Sequence, residues 1–151
     1  MISALLLVSC HSLAPNKSQT KINWRTLEQG KIEAAARQKP CLVDFYFGEQ
    51  CHRCAMLEKQ VYDNDRIASM INTKFIPVRI DLTRKLSPEE KALEDKMGSG
   101  GECMLLFLDQ NGNVIKNQQG VPVCSMEMIS PERFISYLDE TLELLGQGAG
   151  E

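Results

Sequence analysis

A chain of 151 residues has room for one domain with its own core, plus a short leader or tail. Hydrophobic residues at 43% and charged residues at 25% exclude a disordered or fibrous chain. The 17 Lys+Arg against 20 Asp+Glu give a formal charge of -3, with no long basic stripe to neutralise phosphates, so no nucleic-acid partner is expected.

The first residues, Met1 to Cys10, form an apolar run that ends in a small residue and a cysteine. Leu7-Val8-Ser9-Cys10 resembles a bacterial lipobox, which makes Cys10 the lipidation candidate. No Lys or Arg precedes the run, as an initiation codon placed too far downstream would explain. Residues 1–22 are read as a lipoprotein-like signal and tether, polar from Ser12 to Lys21. The expected location is the bacterial envelope, on the periplasmic side, with membrane anchoring through a lipid on Cys10. A cytoplasmic protein is the alternative, with Ile2 to Val8 as a frayed or packed N-terminal segment. No other run has the length of a membrane span.

The domain is placed at 23–146, with 147–151 as a flexible tail. Trp24, Leu27, Ile32 and Ala35 recur at helical spacing, and Pro40 follows, which predicts an amphipathic helix over 23–38. Cys41 to Phe47 is a nearly continuous apolar run, as in a strand buried on both faces. Gly48-Glu49-Gln50 breaks it, and a helix opens at Cys51-His52-Arg53-Cys54 and ends near Asp63-Asn64-Asp65. A short helix over 66–72 and a strand over 75–81, with its Pro near the start, come next. Ser87-Pro88-Glu89-Glu90 predicts a capped helix, with Ser at N-cap and Glu at N3, that stops at Gly98. Met104 to Leu108 is a strand, Asp109-Gln110-Asn111-Gly112 a hairpin turn, and a second strand begins at Val114. Ser130-Pro131-Glu132 opens a last helix that closes at Gly146.

Strands joined through helices pair in parallel, and a hairpin is antiparallel. The expected architecture is therefore α/β: a mixed four- to five-stranded sheet flanked by helices on both faces, the arrangement of the thioredoxin fold.

The six cysteines do not form the dense framework of a small secreted scaffold, and only Cys51 and Cys54 lie close in sequence. A free thiol is mostly protonated at neutral pH, so position must activate it. Cys51 falls where a strand gives way to a helix, where free N–H groups and the helix dipole favour its anion. Cys54 sits one turn further in and is less exposed. Cys51 is thus the attacking thiolate and Cys54 the resolving thiol. His52 and Arg53 place positive charge beside the thiolate, which lowers its pKa and makes the disulfide more oxidising. A zinc site would need a second close Cys or His pair, but Cys103 and Cys124 stand apart and the histidines are His11 and His52. No metal site and no cofactor beyond the Cys51–Cys54 redox pair are expected.

Lys39 to Tyr46 followed by Cys51-His52-Arg53-Cys54 resembles the thioredoxin superfamily, and within it the C-terminal periplasmic domain of DsbD-type disulfide reductases. The similarity runs from about Trp24 to Leu145, with Phe107-Leu108-Asp109 and Gly112 matching the central hairpin. The resemblance implies a cis-proline at the position that Cys103 occupies, so Cys103 is either a third redox group or a small apolar filler. Where the family has an aromatic residue before the first active cysteine, this chain has Gln50. It also implies a buried carboxylate that relays protons to the resolving cysteine. Asp44 is the candidate, but it lies one residue further from Cys51 than in the family. Because strand side chains alternate, that step decides which way Asp44 faces.

Cys41 is expected in the core, and Cys124 is a partner for Cys103 if the two come together. The leading function is a thiol–disulfide oxidoreductase acting on protein thiols or disulfides, with an unidentified redox partner, as a monomer. The alternatives are a copper-binding or delivery module built on Cys51, Cys54 and Cys103 or His52, and a non-catalytic interaction domain.

Overall fold

In the computed structural model, residues 20–96, 105–125 and 130–148 are described. The chain enters through buried Ile22 and stays extended to Arg25, which pairs in parallel with Val78. Helix begins only after Thr26. Its hydroxyl accepts from the Gln29 amide while the Gln29 side chain accepts from the Thr26 amide, a reciprocal capping box. Helix α1 is therefore Leu27–Arg37. This corrects the helix expected from residue 23. Its buried face is Leu27, Gly30 and Ala34, while Ile32 is 67% exposed. Apolar spacing is misleading here because Trp24 precedes the cap and belongs to a different core.

Strand β1, Cys41–Tyr46, is the centre of the sheet. It pairs in parallel with β2, Ile76–Asp81, in a register that sets Val43 against Val78 and Asp44 against Arg79. On its other side it pairs antiparallel with β3, Leu105–Leu108, with Cys41 opposite Leu108. A two-residue strand β4, Cys124–Ser125, completes the order β2-β1-β3-β4. Alternation along β1 divides the apolar residues into two cores. Cys41, Val43 and Phe45 join Leu27, Ala34, Val78, Leu93 and Leu106 on the face covered by α1 and by α4, Pro88–Lys96. Leu42 joins Leu57, Val61, Tyr62, Ile71, Phe107 and Phe134 on the other face. The helices there are α2, His52–Leu57; α3, Asp65–Lys74; and α5, Pro131–Gly148. Helices thus cover both faces of a mixed sheet, as the sequence predicts.

The single helix predicted after the dithiol is present, but Glu58–Tyr62 within it is a π-helical turn. The expected capping box of α4 forms, with Ser87 and Glu90 bonding each other's amides at 2.8 and 3.2 Å. Its predicted stop at Gly98 lies outside the described residues. The hairpin differs from expectation. Asp109 Oδ1 accepts from the amides of Asn111 and Asn113, both at 2.8 Å, closing a five-residue turn at which Gly112 has φ +83°. The chain then pairs with β3 only through a bridge from Val114 to Leu108, and Asn117 builds a second turn of the same kind. The polar run 116–120 offers β3 nothing to bury, so the sheet edge is taken by β4 instead. Helix α5 passes through Gly146. No described helix is long and apolar enough to cross a membrane.

Candidate functional site

Strand β1 ends at Tyr46, and the chain turns through Gly48 at φ +93°, a backbone conformation that favours glycine. A Cβ on Gly48 would stand 2.8 Å from Thr83 Cγ2. The Gly48 carbonyl accepts from the Cys51 amide at 3.1 Å, which sets Cys51 at the N-cap of α2. There the Cys51 sulfur accepts from the Cys54 amide at 3.0 Å. The two cysteines form a disulfide. Cys51 is half-buried and Cys54 only 5% exposed. A substrate sulfur can therefore reach Cys51, while Cys54 is screened and presents its sulfur only to its partner. Once the bond is reduced, the amide that now meets the Cys51 sulfur would face an anion, a stronger acceptor than a neutral thiol. His52 is exposed and Arg53 half-buried, both in the first turn of α2.

Asp44 settles the question of facing. It shares its side of β1 with Leu42, the face of the sheet that α2, α3 and α5 cover, and is 3% exposed. Strand β1 ends at Tyr46 and the chain from Phe47 to Gln50 lies beyond it, so the longer spacing to Cys51 does not turn the buried carboxyl outward. Asp44 Oδ2 meets Arg79 Nε at 2.6 Å, and Tyr62 Oη donates to Asp44 Oδ1 at 3.1 Å. Arg79 Nη2 reaches Glu58 Oε1 at 2.5 Å, so one guanidinium bridges two carboxylates. The Arg79 guanidinium carbon lies 4.1 Å from the Trp24 ring centroid, with Tyr46 at 5.4 Å and Tyr62 at 5.7 Å.

Burial pushes the Asp44 carboxyl up to about 6, against the charge and hydrogen bond of Arg79 and the bond from Tyr62. Burial also drives the Tyr62 hydroxyl well above its usual range, with the Asp44 charge acting the same way. For Arg79 burial works downward, but the two carboxylates outweigh it and the net shift is upward.

Arg79, Glu58, Tyr62 and Trp24 join the site only in the folded structure; sequence reasoning does not reach them as site residues. A signal is present for one: Arg79 interrupts the apolar run Ile76 to Ile80, and a charge inside a parallel strand requires a partner. Glu58 and Tyr62 carry none, because the π-helical turn that aims them at the sheet has no mark in local propensity. Cys41 is fully buried, its sulfur 3.7 Å from the Gly30 carbonyl, and burial pushes its thiol up to about 11, as befits a core residue. Cys10 and Cys103 lie outside the described residues, and Cys124 lies in β4.

A disulfide whose half-buried first cysteine caps a helix, on a mixed sheet covered on both faces, is at the level of its class the arrangement of a thiol–disulfide oxidoreductase. A family model described as thioredoxin-like matches residues 23–126, and the chain belongs to that family. The thiol:disulfide interchange protein DsbD of Photorhabdus laumondii is 28% identical over 97 residues, 64% of this chain and 16% of that protein. The chain thus corresponds to a small part of that relative. Among solved structures, a DsbH oxidoreductase superposes with a TM-score of 0.61 at 16% identity, covering 92% of this chain and 96% of that one. The C-terminal domain of DsbD from Neisseria meningitidis, in its reduced form, gives 0.58 at 18% identity, covering 76% and 93%. At these identities both speak for the fold.

Proposed function

We propose that this protein catalyses thiol–disulfide exchange with protein thiols or disulfides in the bacterial envelope, with Cys51 exchanging with substrate and Cys54 resolving. The observation that carries this reading is the Cys51 sulfur at the N-cap of α2, accepting from the Cys54 amide at 3.0 Å while Cys54 itself is buried. In the reductive direction the Cys51 thiolate attacks a substrate disulfide, a mixed disulfide forms and one substrate thiolate leaves. Cys54 then gives up its proton, attacks the Cys51 sulfur and closes the Cys51–Cys54 bond, and the second substrate thiolate leaves. Asp44, buried on the same face of the sheet as this helix with a carboxyl near 6, is suited to accept the Cys54 proton, since a base works best with a pKa near ambient pH. The oxidative direction reverses each step. The envelope location is supported by the lipobox-like Leu7-Val8-Ser9-Cys10 and by similarity to part of an interchange protein.

The test is an insulin-reduction assay and a reduced-protein oxidation assay on the full chain, with metal content measured in parallel. Wild type is active in at least one direction, Cys51→Ser is inactive, and Cys54→Ser accumulates a mixed disulfide with substrate. No exchange by wild type in either direction overturns the reading, and a stoichiometric metal lost in Cys51→Ser would replace it with a delivery module.

A further inference from the structure

We propose that Thr83 is a positioning residue of this exchange: its methyl group backs the buried Gly48 turn and so keeps Cys51 at the N-cap of α2, where the Cys54 amide meets its sulfur. This deepens the exchange reading and rests on it.

The argument begins with the link between β1 and α2. From Phe47 to Gln50, Gly48 is buried while Phe47, Glu49 and Gln50 are exposed. The Gly48 carbonyl accepts from the Cys51 amide at 3.1 Å, so the placing of the Gly48 peptide bears directly on where Cys51 stands. Glycine brings no side chain to hold that peptide, and it has the freest backbone of any residue. Restraint has to come from outside the link. Beyond the chain neighbours, the described atom nearest the point where a Gly48 Cβ would stand is Thr83 Cγ2, at 2.8 Å.

The methyl can act as a stop because its own position is fixed. The Thr83 amide and hydroxyl both donate to Asp81 Oδ1, at 2.9 and 2.7 Å. A hydroxyl held in this way sets χ1, and with it the direction of the methyl. The same two bonds hold the Asp81 carboxyl below the usual carboxylate range, so it remains an acceptor where thiols exchange. Asp81 ends β2 opposite Tyr46, the last residue of β1, and the Leu82 amide donates to the Tyr46 carbonyl at 2.9 Å. One residue past Thr83, Arg84 Nη1 donates to Glu90 of α4 at 3.0 Å, and Nη2 takes the other carboxylate oxygen. Thr83 is thus pinned to the sheet on one side and to α4 on the other. It is itself exposed, so trimming it opens no cavity in either core.

The experiment follows the ionisation of Cys51 in the reduced protein. The pH dependence of alkylation by iodoacetamide is read at Cys51 by peptide mass spectrometry, which needs no exchange activity. Insulin reduction is measured in parallel. Thr83→Ser keeps the hydroxyl and its bonds to Asp81 but lacks the methyl. It raises the Cys51 pKa by about 0.2–0.7 pH unit, the size of a charge interaction at a helix terminus. Loss of thiolate at that scale slows exchange by up to about fivefold. Thr83→Val keeps a methyl without the hydroxyl and stays closer to wild type than Thr83→Ser in both measurements. Gly48→Ala slows exchange less in the Thr83→Ser background than in wild type, because the contact with the methyl is already gone. The proposal is overturned if Thr83→Ser leaves the Cys51 titration in place or lowers it, or if Thr83→Val moves it as far as Thr83→Ser does. It is overturned as well if Gly48→Ala slows exchange equally in both backgrounds. A Thr83→Ser protein that is less stable in urea with its Cys51 titration unmoved has lost packing alone, which also counts against the proposal. If Gly48→Ala does not fold, the comparison of Ser with Val decides. If wild type shows no exchange, the functional reading fails while the alkylation profiles still decide the role of Thr83.

Discussion

Asp44 shows at the scale of one residue how function and stability pull apart. An ionised carboxyl in the core is tolerated only through Arg79 and Tyr62, and burial still raises it from 3.8 to about 6. The sign of the stability effect follows. The folded state holds this proton more tightly than the unfolded chain does, so the contribution of Asp44 is fully present below pH 3.8 and is lost as pH rises through about 6. The loss is on the order of 3 kcal/mol at neutral pH, a tenfold change in proton affinity being worth about 1.4 kcal/mol. Urea titrations of wild type and Asp44→Asn at pH 4, 5, 6 and 7 should show the difference between the two changing across that window. Wild type should lose ground to the variant as pH rises. A difference constant with pH would mean that the Asp44 carboxyl is not raised by folding. Glu33 and Glu90, which arginine hydrogen bonds hold below the usual carboxylate range, act oppositely in both proteins and cancel in the comparison.

Between elements, α1 approaches β2 closely at Gly30. Gly30 faces Val78, and a Cβ added there would stand 2.2 Å from Val78 Cγ2. In an open helix Gly→Ala stabilises by up to about 1 kcal/mol. Here the methyl must push helix and strand apart, so Gly30→Ala should instead cost about 1–3 kcal/mol, the usual range for overpacking. Adding Val78→Ala should recover part of that loss, a coupling that a double-mutant cycle in urea would measure. Since Val78 adjoins Arg79, the same variant should also disturb the Arg79–Asp44 ion pair and slow exchange. Legibility in the sequence divides along similar lines. The Ser87–Glu90 cap is readable because it is made within four residues, and the dithiol because its strand-to-helix setting is local. The start of α1 is not, because the apolar spacing from Trp24 masks an equally local cap at Thr26 and Gln29. The facing of Asp44 is hidden too, since it turns on where β1 ends relative to Cys51, and the strand stops at Tyr46 with the Gly48 turn beyond it.

Over the whole molecule, the sheet separates two cores, and the dithiol belongs to the rim of one of them. Phe107 packs between Phe75 and Tyr137, and Tyr62 between Trp24 and Phe134, so strand, helices and N-terminal segment interlock without help from the disulfide. The Cys51–Cys54 bond spans a sequence separation of 3. Closing so short a loop restricts the unfolded chain little, about 2 kcal/mol by chain entropy alone. Reduction meanwhile frees a Cys51 thiolate that the Cys54 amide and the helix dipole stabilise in the folded state only, which offsets that gain. Reduction with excess dithiothreitol should therefore leave the far-UV circular dichroism unchanged and shift folding stability by no more than about 2 kcal/mol. Unfolding on reduction would make the disulfide a structural staple, and the site could not then cycle between its two states. The sign of the shift is informative in itself. If the reduced protein is the more stable, the thermodynamic cycle requires that the folded disulfide be a stronger oxidant than the same pair in the unfolded chain. Urea denaturation of both forms thus bears on which way electrons flow.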